Sequence, residues 1–155
     1  MKIYYKIKRT YNQYMYRIKN NFISDFIYYH AWNFLDYCNL NPKKDYRVLK
    51  YRYSEMLENT WGFECDIGWF DLLSDLLHNI KTKEPEIKIA QIKEKFGSLR
   101  FYPYSASGEV LDMIDVAEER SYKICERCGI EDDTVKTRNE GWLYTLCGNC
   151  HKNNN

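Results

Sequence analysis

Two pairs of cysteines near the C-terminal end constrain this chain more than any other feature. Cys125 and Cys128 bracket Glu126-Arg127, and Cys147 and Cys150 bracket Gly148-Asn149, with eighteen residues between the pairs. Each C-x-x-C turn aims two sulfurs inward, and the intervening residues suffice for a two-stranded hairpin that brings the turns together. The expectation is one structural Zn2+ held by Cys125, Cys128, Cys147 and Cys150, with His151 as an alternative ligand. Gly129, directly after the first pair, supplies a position where positive φ lets backbone N–H groups face the sulfurs. Four thiolates leave no position for water or substrate, so the set reads first as a structural staple and second as a redox or iron–sulfur site. Their charge can be offset by Lys123, Arg127, Arg138 and Lys152.

The remaining cysteines, Cys38 and Cys65, are isolated and stand among apolar residues. A secreted chain of 155 residues would spread its cysteines as a disulfide framework, so the expected compartment is the cytoplasm, with reduced thiols. Met1–Arg9 is charged with no uninterrupted apolar run behind it, unlike a secretory signal, and nothing approaches the length of a membrane span. Hydrophobic content of 45% and aromatic content of 17% exclude a disordered protein. The net charge of +1 hides an asymmetry: residues 1–52 carry +8 and residues 53–155 carry −7. The basic part can meet an acidic partner or the chain's own acidic part.

The chain divides into a basic, tyrosine-rich helical region (1–60), an α+β core (61–123), the zinc ribbon (124–151) and a polar tail (152–155). Helical spacing from Tyr11 through Ile18, Phe22 and Tyr29 predicts a helix over about 10–38, ended by Asn41-Pro42. A short helix is expected over Asp45–Glu58, with Tyr46, Leu49, Tyr53 and Leu57 inward. Asp66 is expected to cap the next helix, whose stripe is Trp69, Leu72, Leu73, Leu76, Leu77 and Ile80. Ile87–Glu94 and Leu99–Tyr104 read as a β-hairpin turning at Lys95–Ser98. The parity of its isoleucines changes between Ile89 and Ile92, which asks for a bulge or burial of both faces. Ser105 or Ser107 caps a third helix with Val110, Ile114, Ala117 and Ser121 inward. Thr134–Arg138 and Trp142–Leu146 are the expected strands of the ribbon. The fold class is therefore α+β, helices packed on a small antiparallel hairpin or sheet, closed by a zinc ribbon.

Candidate chemistry beyond the cysteines is sparse. The ending C-x-x-C-H resembles the zinc-stapled ββα unit of HNH nucleases, which also need a histidine inside the loop to activate water. No histidine lies between Cys128 and Cys147; the others are His30 and His78. A nuclease is thus admissible only in degenerate form, and binding is favoured over catalysis. Asp75 and His78 lie one turn apart on a polar helix face, where such a pair is normally just solvated. In the basic N-terminal region the tyrosines read first as a core-facing helical stripe and second as a nucleic-acid surface. The richest polar group combines Trp61, Glu64, Asp66 and Trp69 with Lys93, Lys95, Arg100 and Tyr102. Opposite charges between aromatic walls suit either a small nucleotide-like ligand or an ion-pair network that fixes the hairpin to a helix.

At these residues the chain resembles a widespread group of small phage and bacterial proteins of no assigned activity. The shared pieces are W-x-F-E-C-x-x-G-W at Trp61–Trp69, K-E-K-F-G-x-L-R-F-Y at Lys93–Tyr102, A-E-x-x-S at Ala117–Ser121 and G-W-x-x-T-L-C at Gly141–Cys147. Together they span about three-fifths of the chain. Those proteins often end their ribbon in C-x-x-H, where this chain has Cys150 followed by His151. The resemblance implies the fold and a phage-like context, with action in the host cytoplasm by binding a host protein or nucleic acid, in counter-defence or regulation.

Overall fold

The computed structural model describes Ile27, residues 29–31 and 33–35, 44–139 and 141–153. Most of the helix expected over 10–38 lies outside these residues, as do its stop at Asn41-Pro42 and Cys38; the described residues between 27 and 35 are helical. Residues Lys44–Tyr46 and Tyr53–Asn155 make one compact unit, and Arg47–Arg52 belong with the preceding residues in another. In that other unit Tyr51 packs its ring 4.8 Å from Tyr29, and Arg52 donates to Asn33 Oδ1 at 3.1 Å. No helix among the described residues is long and apolar enough to cross a membrane.

The expected helix over Asp45–Glu58 is shorter than its apolar spacing suggests. It is helical only over Tyr46–Arg52 (α1) and continues as turns, with Tyr53, Met56 and Leu57 still buried. The chain then forms β1 (Phe63–Glu64), a strand too short for alternation to reveal. After a 3₁₀ turn over Ile67–Trp69, α2 runs Phe70–Lys83 with every residue of the anticipated stripe buried. Asp71, Asp75 and His78 are exposed on its other side. Asp66 does not cap this helix: its carboxylate makes no capping bond, because the 3₁₀ turn separates it from Phe70. Its backbone is used instead, the N–H donating to Glu126 Oε1 at 3.2 Å and the carbonyl accepting from the Tyr46 hydroxyl at 2.7 Å. Pro85 sets the far end of α2, since the residue before a proline is pushed out of the helical region; Glu84 sits at φ −129°, ψ 83°.

β2 (Ile89–Lys95) and β3 (Ser98–Pro103) form the expected antiparallel hairpin, and β1 adds to β2 in parallel, giving the order β1-β2-β3. Parallel neighbours need a crossover, which α2 provides. The register shifts between Ile89 and Gln91, and this bulge lets Ile89 and Ile92 both point into the core despite opposite parity. The turn itself is two residues, Phe96 and Gly97, both at positive φ (58° and 77°).

Helix α3 (Gly108–Ser121) begins at Ser107, whose Oγ accepts from the Val110 N–H, and it buries Val110, Ile114, Ala117 and Ser121 as the spacing requires. It packs against α2 and β3. It also covers the free edge of β3, because Leu99 N–H donates to Ser121 Oγ and Phe101 N–H to Glu118 Oε1, each at 2.9 Å. Glu118 further pairs with Arg100 at 3.0 Å, so one half-buried carboxylate satisfies both backbone and guanidinium. Beyond Cys125 and Cys128, strands β4 (Lys136–Asn139) and β5 (Leu143–Leu146) pair antiparallel, and a short helix, α4 (Gly148–Lys152), follows.

The C-terminal module is joined to the core through backbone. Gly68 N–H donates to Glu126 O at 2.7 Å, and a Cβ at Gly68 would lie 2.2 Å from Cys125 O and 2.3 Å from Glu126 O. Carbonyl groups cannot rotate away as a side chain can. Gly68→Ala should therefore lose roughly 3 kcal/mol, the upper end of overpacking costs. Gly108→Ala, where a Cβ meets nothing within 4 Å, should gain up to about 1 kcal/mol in the first turn of α3. Urea denaturation of the two variants measures both signs.

Candidate metal centre and the hairpin face

Gly129, at φ 79°, donates its N–H to Cys125 O at 2.8 Å, and Cys125 N–H donates to Ile130 O at 2.8 Å. These bonds curl the first C-x-x-C turn, with Gly129 at the expected positive φ and its N–H on a carbonyl in place of a sulfur. The second turn uses the start of α4, where Cys147 takes the cap position and its Sγ accepts from Cys150 N–H at 3.4 Å. The β4–β5 hairpin brings the turns together, with Leu146 buried between Cys125 and Cys147 and Val135 and Tyr144 packed beside them. The four ligand sulfurs all lie within 4.8 Å of one another. Cys128 and Cys147 are 3.7 Å apart at Sγ. A tetrahedron with metal–sulfur bonds of about 2.3 Å has edges of about 3.8 Å, so this spacing suits a shared ion and is far beyond a disulfide's ~2.05 Å. All four are free thiols, and the cluster can hold a metal ion. His151 is not part of it; its N–H donates to Cys147 O at 3.0 Å.

The thiols differ in acidity. The Cys150 amide pointing at its sulfur pulls Cys147 down to about 7, while burial, foremost, pushes Cys128 and Cys150 up. Arg127 donates to Cys150 O at 3.5 Å and stands 4.0 Å from Asp66 across the seam. Cys65 is separate from the cluster: its Sγ lies 3.4 Å from the Tyr46 hydroxyl, and burial pushes its thiol up to about 12.

Three residues that matter here carried no sequence signal of their own. Glu126, between the first two cysteines, is buried, with its carboxylate on Asp66 N–H and its N–H on Thr145 O at 2.9 Å. Burial, above all, pushes its carboxyl up to about 7, and Asp66 and Glu94 push the same way. Glu94 uses both oxygens, accepting from Gly97 N–H at 2.6 Å and from Trp142 Nε1 at 2.9 Å. Thr145 Oγ1 donates to Gly97 O at 2.5 Å and, its one proton spent, accepts from Thr137 Oγ1 at 2.8 Å. The tip of the core hairpin is therefore gripped by the cysteine module.

The anticipated ligand group is split. Trp69 is wholly buried, its indole N–H donating to Ile124 O at 3.1 Å, so it is a core residue and a second tie to the module. Trp61 is 89% exposed. Glu64 accepts from Gln91 Nε2 at 2.7 Å, and Asp66 faces Arg127. Lys93, Lys95, Arg100 and Tyr102 stay together on the outward side of β2–β3, opposite in parity to the buried Ile92, Leu99 and Phe101. Arg100 with Glu118 realises the ion-pair reading; Lys93 and Lys95 instead lie 5.6 Å and 5.3 Å over the rings of Tyr102 and Phe96. No family model matches this chain, and neither the curated proteins nor the solved structures show significant similarity to it.

Because the module shares backbone with the core at Gly68 and Gly97, loss of the metal should be felt well beyond residue 124. Cys128→Ser or strong chelation is expected to remove one metal equivalent and lower stability by more than about 4 kcal/mol, the scale for an ion held a thousandfold below its working concentration. Hydrogen exchange should quicken in α2 as well as in β4 and β5. Quickening confined to residues after Ile124 would show that the seam does not transmit the metal's stabilisation.

Proposed function

We propose that this chain is a zinc-stapled accessory protein of phage type that acts by non-catalytic binding to a host macromolecule, in counter-defence or regulation. The observation that carries the reading is the division of labour between two surfaces. The cysteine cluster offers four sulfurs within 4.8 Å, a closed donor set suited to one structural zinc in a ribbon, with no position left for water or substrate. The hairpin beside it presents ammonium groups and aromatic rings outward. Such groups recognise a partner, whereas acid–base chemistry needs a positioned histidine or carboxylate at a walled site. Asp75 and His78 are both exposed on α2, and the open groove between α2 and α3 that Asp75 borders has no histidine in its lining.

A small nucleotide-like ligand is the weaker reading. Burial of Trp69 removes the wall that would have enclosed one, leaving Lys93, Lys95, Arg100 and Tyr102 on an open face. A degenerate HNH-like nuclease is weaker still, since the loop between Cys128 and Cys147 contains no histidine.

Three measurements test the proposal. Elemental analysis of the purified chain should find one zinc per molecule; iron with a visible absorption band would reassign the metal. A bacterial-lysate fraction retained by the wild type should be lost from the Lys93→Glu, Lys95→Glu double variant with zinc content unchanged. Divalent-ion-dependent cleavage of nucleic acid that persists through stringent purification would replace binding with catalysis.

A further inference from the structure

We infer that the outward face of β2–β3 is a binding platform for single-stranded nucleic acid; this rests on the proposal that the chain acts by binding. The register places Gln91 opposite Tyr102, Lys93 opposite Arg100 and Lys95 opposite Ser98. Cross-strand partners share a face, so this face receives three cations and no acid from either strand. The acid nearest in register, Glu64 on β1, is held by Gln91. Each cation is matched to a ring: Lys93 over Tyr102, Lys95 over Phe96, and Arg100 with the Tyr122 hydroxyl, which also reaches Ser98. These rings remain accessible, Phe96 at 63%, Tyr102 at 39% and Tyr122 at 37%.

Two features of this face run against stability. A like-charged pair directly across two strands, Lys93 with Arg100, is destabilising. Phe96 sits at φ 58°, where a bulky side chain is strained, in a two-residue turn that asparagine or aspartate followed by glycine would fill comfortably. A hairpin selected for stability alone would carry neither. Both make sense if cations and an outward ring are needed at the tip, since strain of this kind collects where residues serve function.

Charge and ring chemistry then choose the partner. Glu64, in register with Lys93, and Glu118, paired with Arg100, border the face, while Asp71 and Asp75 are exposed on α2 and Glu109, Asp112, Asp115 and Glu119 on α3. An anionic chain is thereby steered toward the hairpin and away from the helices. Lysines neutralise phosphates while tyrosine and phenylalanine rings stack on bases, and only unpaired bases offer their π-faces. Outward positions on one strand recur about every 6.8 Å, so Gln91 and Lys95 lie about 14 Å apart, which suits a short run of nucleotides in place of a single enclosed one.

The test is fluorescence anisotropy of the zinc-loaded full chain with a 5′-labelled fifteen-nucleotide oligothymidylate at low salt. Expected is saturable binding that weakens with salt with a log–log slope near −1.4, about −0.7 for each of the two phosphates that Lys93 and Lys95 neutralise, Arg100 being held by Glu118. Lys93→Glu with Lys95→Glu should weaken it at least tenfold, and Tyr102→Ala about tenfold. Phe96→Asn should weaken binding several-fold while raising the melting temperature, a pairing that a purely structural turn residue would not give. Oligonucleotide binding that all these variants leave intact would assign it to the basic N-terminal region and overturn the inference. Equal affinity for duplex of the same length would overturn it too, because stacking would then play no part. No oligonucleotide binding, with lysate retention of a protein still sensitive to Lys93→Glu, would overturn the nucleic-acid assignment and leave the binding proposal standing.

Discussion

The structure of the described C-terminal unit depends on one close approach of backbone to backbone. Gly68 lies against the carbonyls of Cys125 and Glu126, and Gly129 comes equally close from the other side, a Cβ there reaching to 2.9 Å from Gly68 O. Two glycines face each other across a gap with no room for a side chain. Gly129 is doubly constrained, since its φ of 79° also shapes the cysteine turn. This contact makes the cysteine module part of the core rather than a tethered satellite, and it fixes where β4 and β5 stand relative to the tip of the β2–β3 hairpin.

Elements governed by periodicity could be read from the sequence. The stripe of α2, the buried set of α3 and the two hairpins follow from apolar spacing with glycine or serine at the ends, and Ser107 caps as its position implies. Even the mismatch of isoleucine parity pointed to a real bulge. The four sulfurs converge because C-x-x-C spacing is a local rule. What could not be read depends on contacts between distant segments. Asp66 looks like a helix cap until the 3₁₀ turn intervenes, and Trp69 looks like a ligand wall until its indole finds Ile124 O, 55 residues away. Glu126 looks like a solvated residue of the turn but is buried against Asp66. Gly68 reads as a generic glycine because sequence does not show what approaches its missing Cβ.

The β2–β3 hairpin is protected on one side and open on another. An exposed edge strand invites pairing with other chains, and α3 removes that hazard at β3 by presenting Ser121 and Glu118 to the outward N–H groups of Leu99 and Phe101. Recognition by adding a strand at that edge is closed off. The outward face is different: its register opposes Lys93 to Arg100, and Glu118 relieves that repulsion only from the helix side. The way the sheet is packed thus puts apolar parity inward and cationic and aromatic parity outward.

Holding Phe96 in a left-handed conformation requires a surrounding structure that over-determines the turn. Gly97, beside it, is held at both backbone groups, its N–H by Glu94 and its carbonyl by Thr145. Glu94 is itself oriented by Trp142, so the clamp on the hairpin tip belongs half to the core and half to the cysteine module. A metal held by the four sulfurs would order β4 and β5 and, through them, the carboxylate and hydroxyl that keep the turn at Phe96 in place. The cysteine cluster reaches the hairpin through this clamp. Its part is to sustain a strained turn that the hairpin alone would relax.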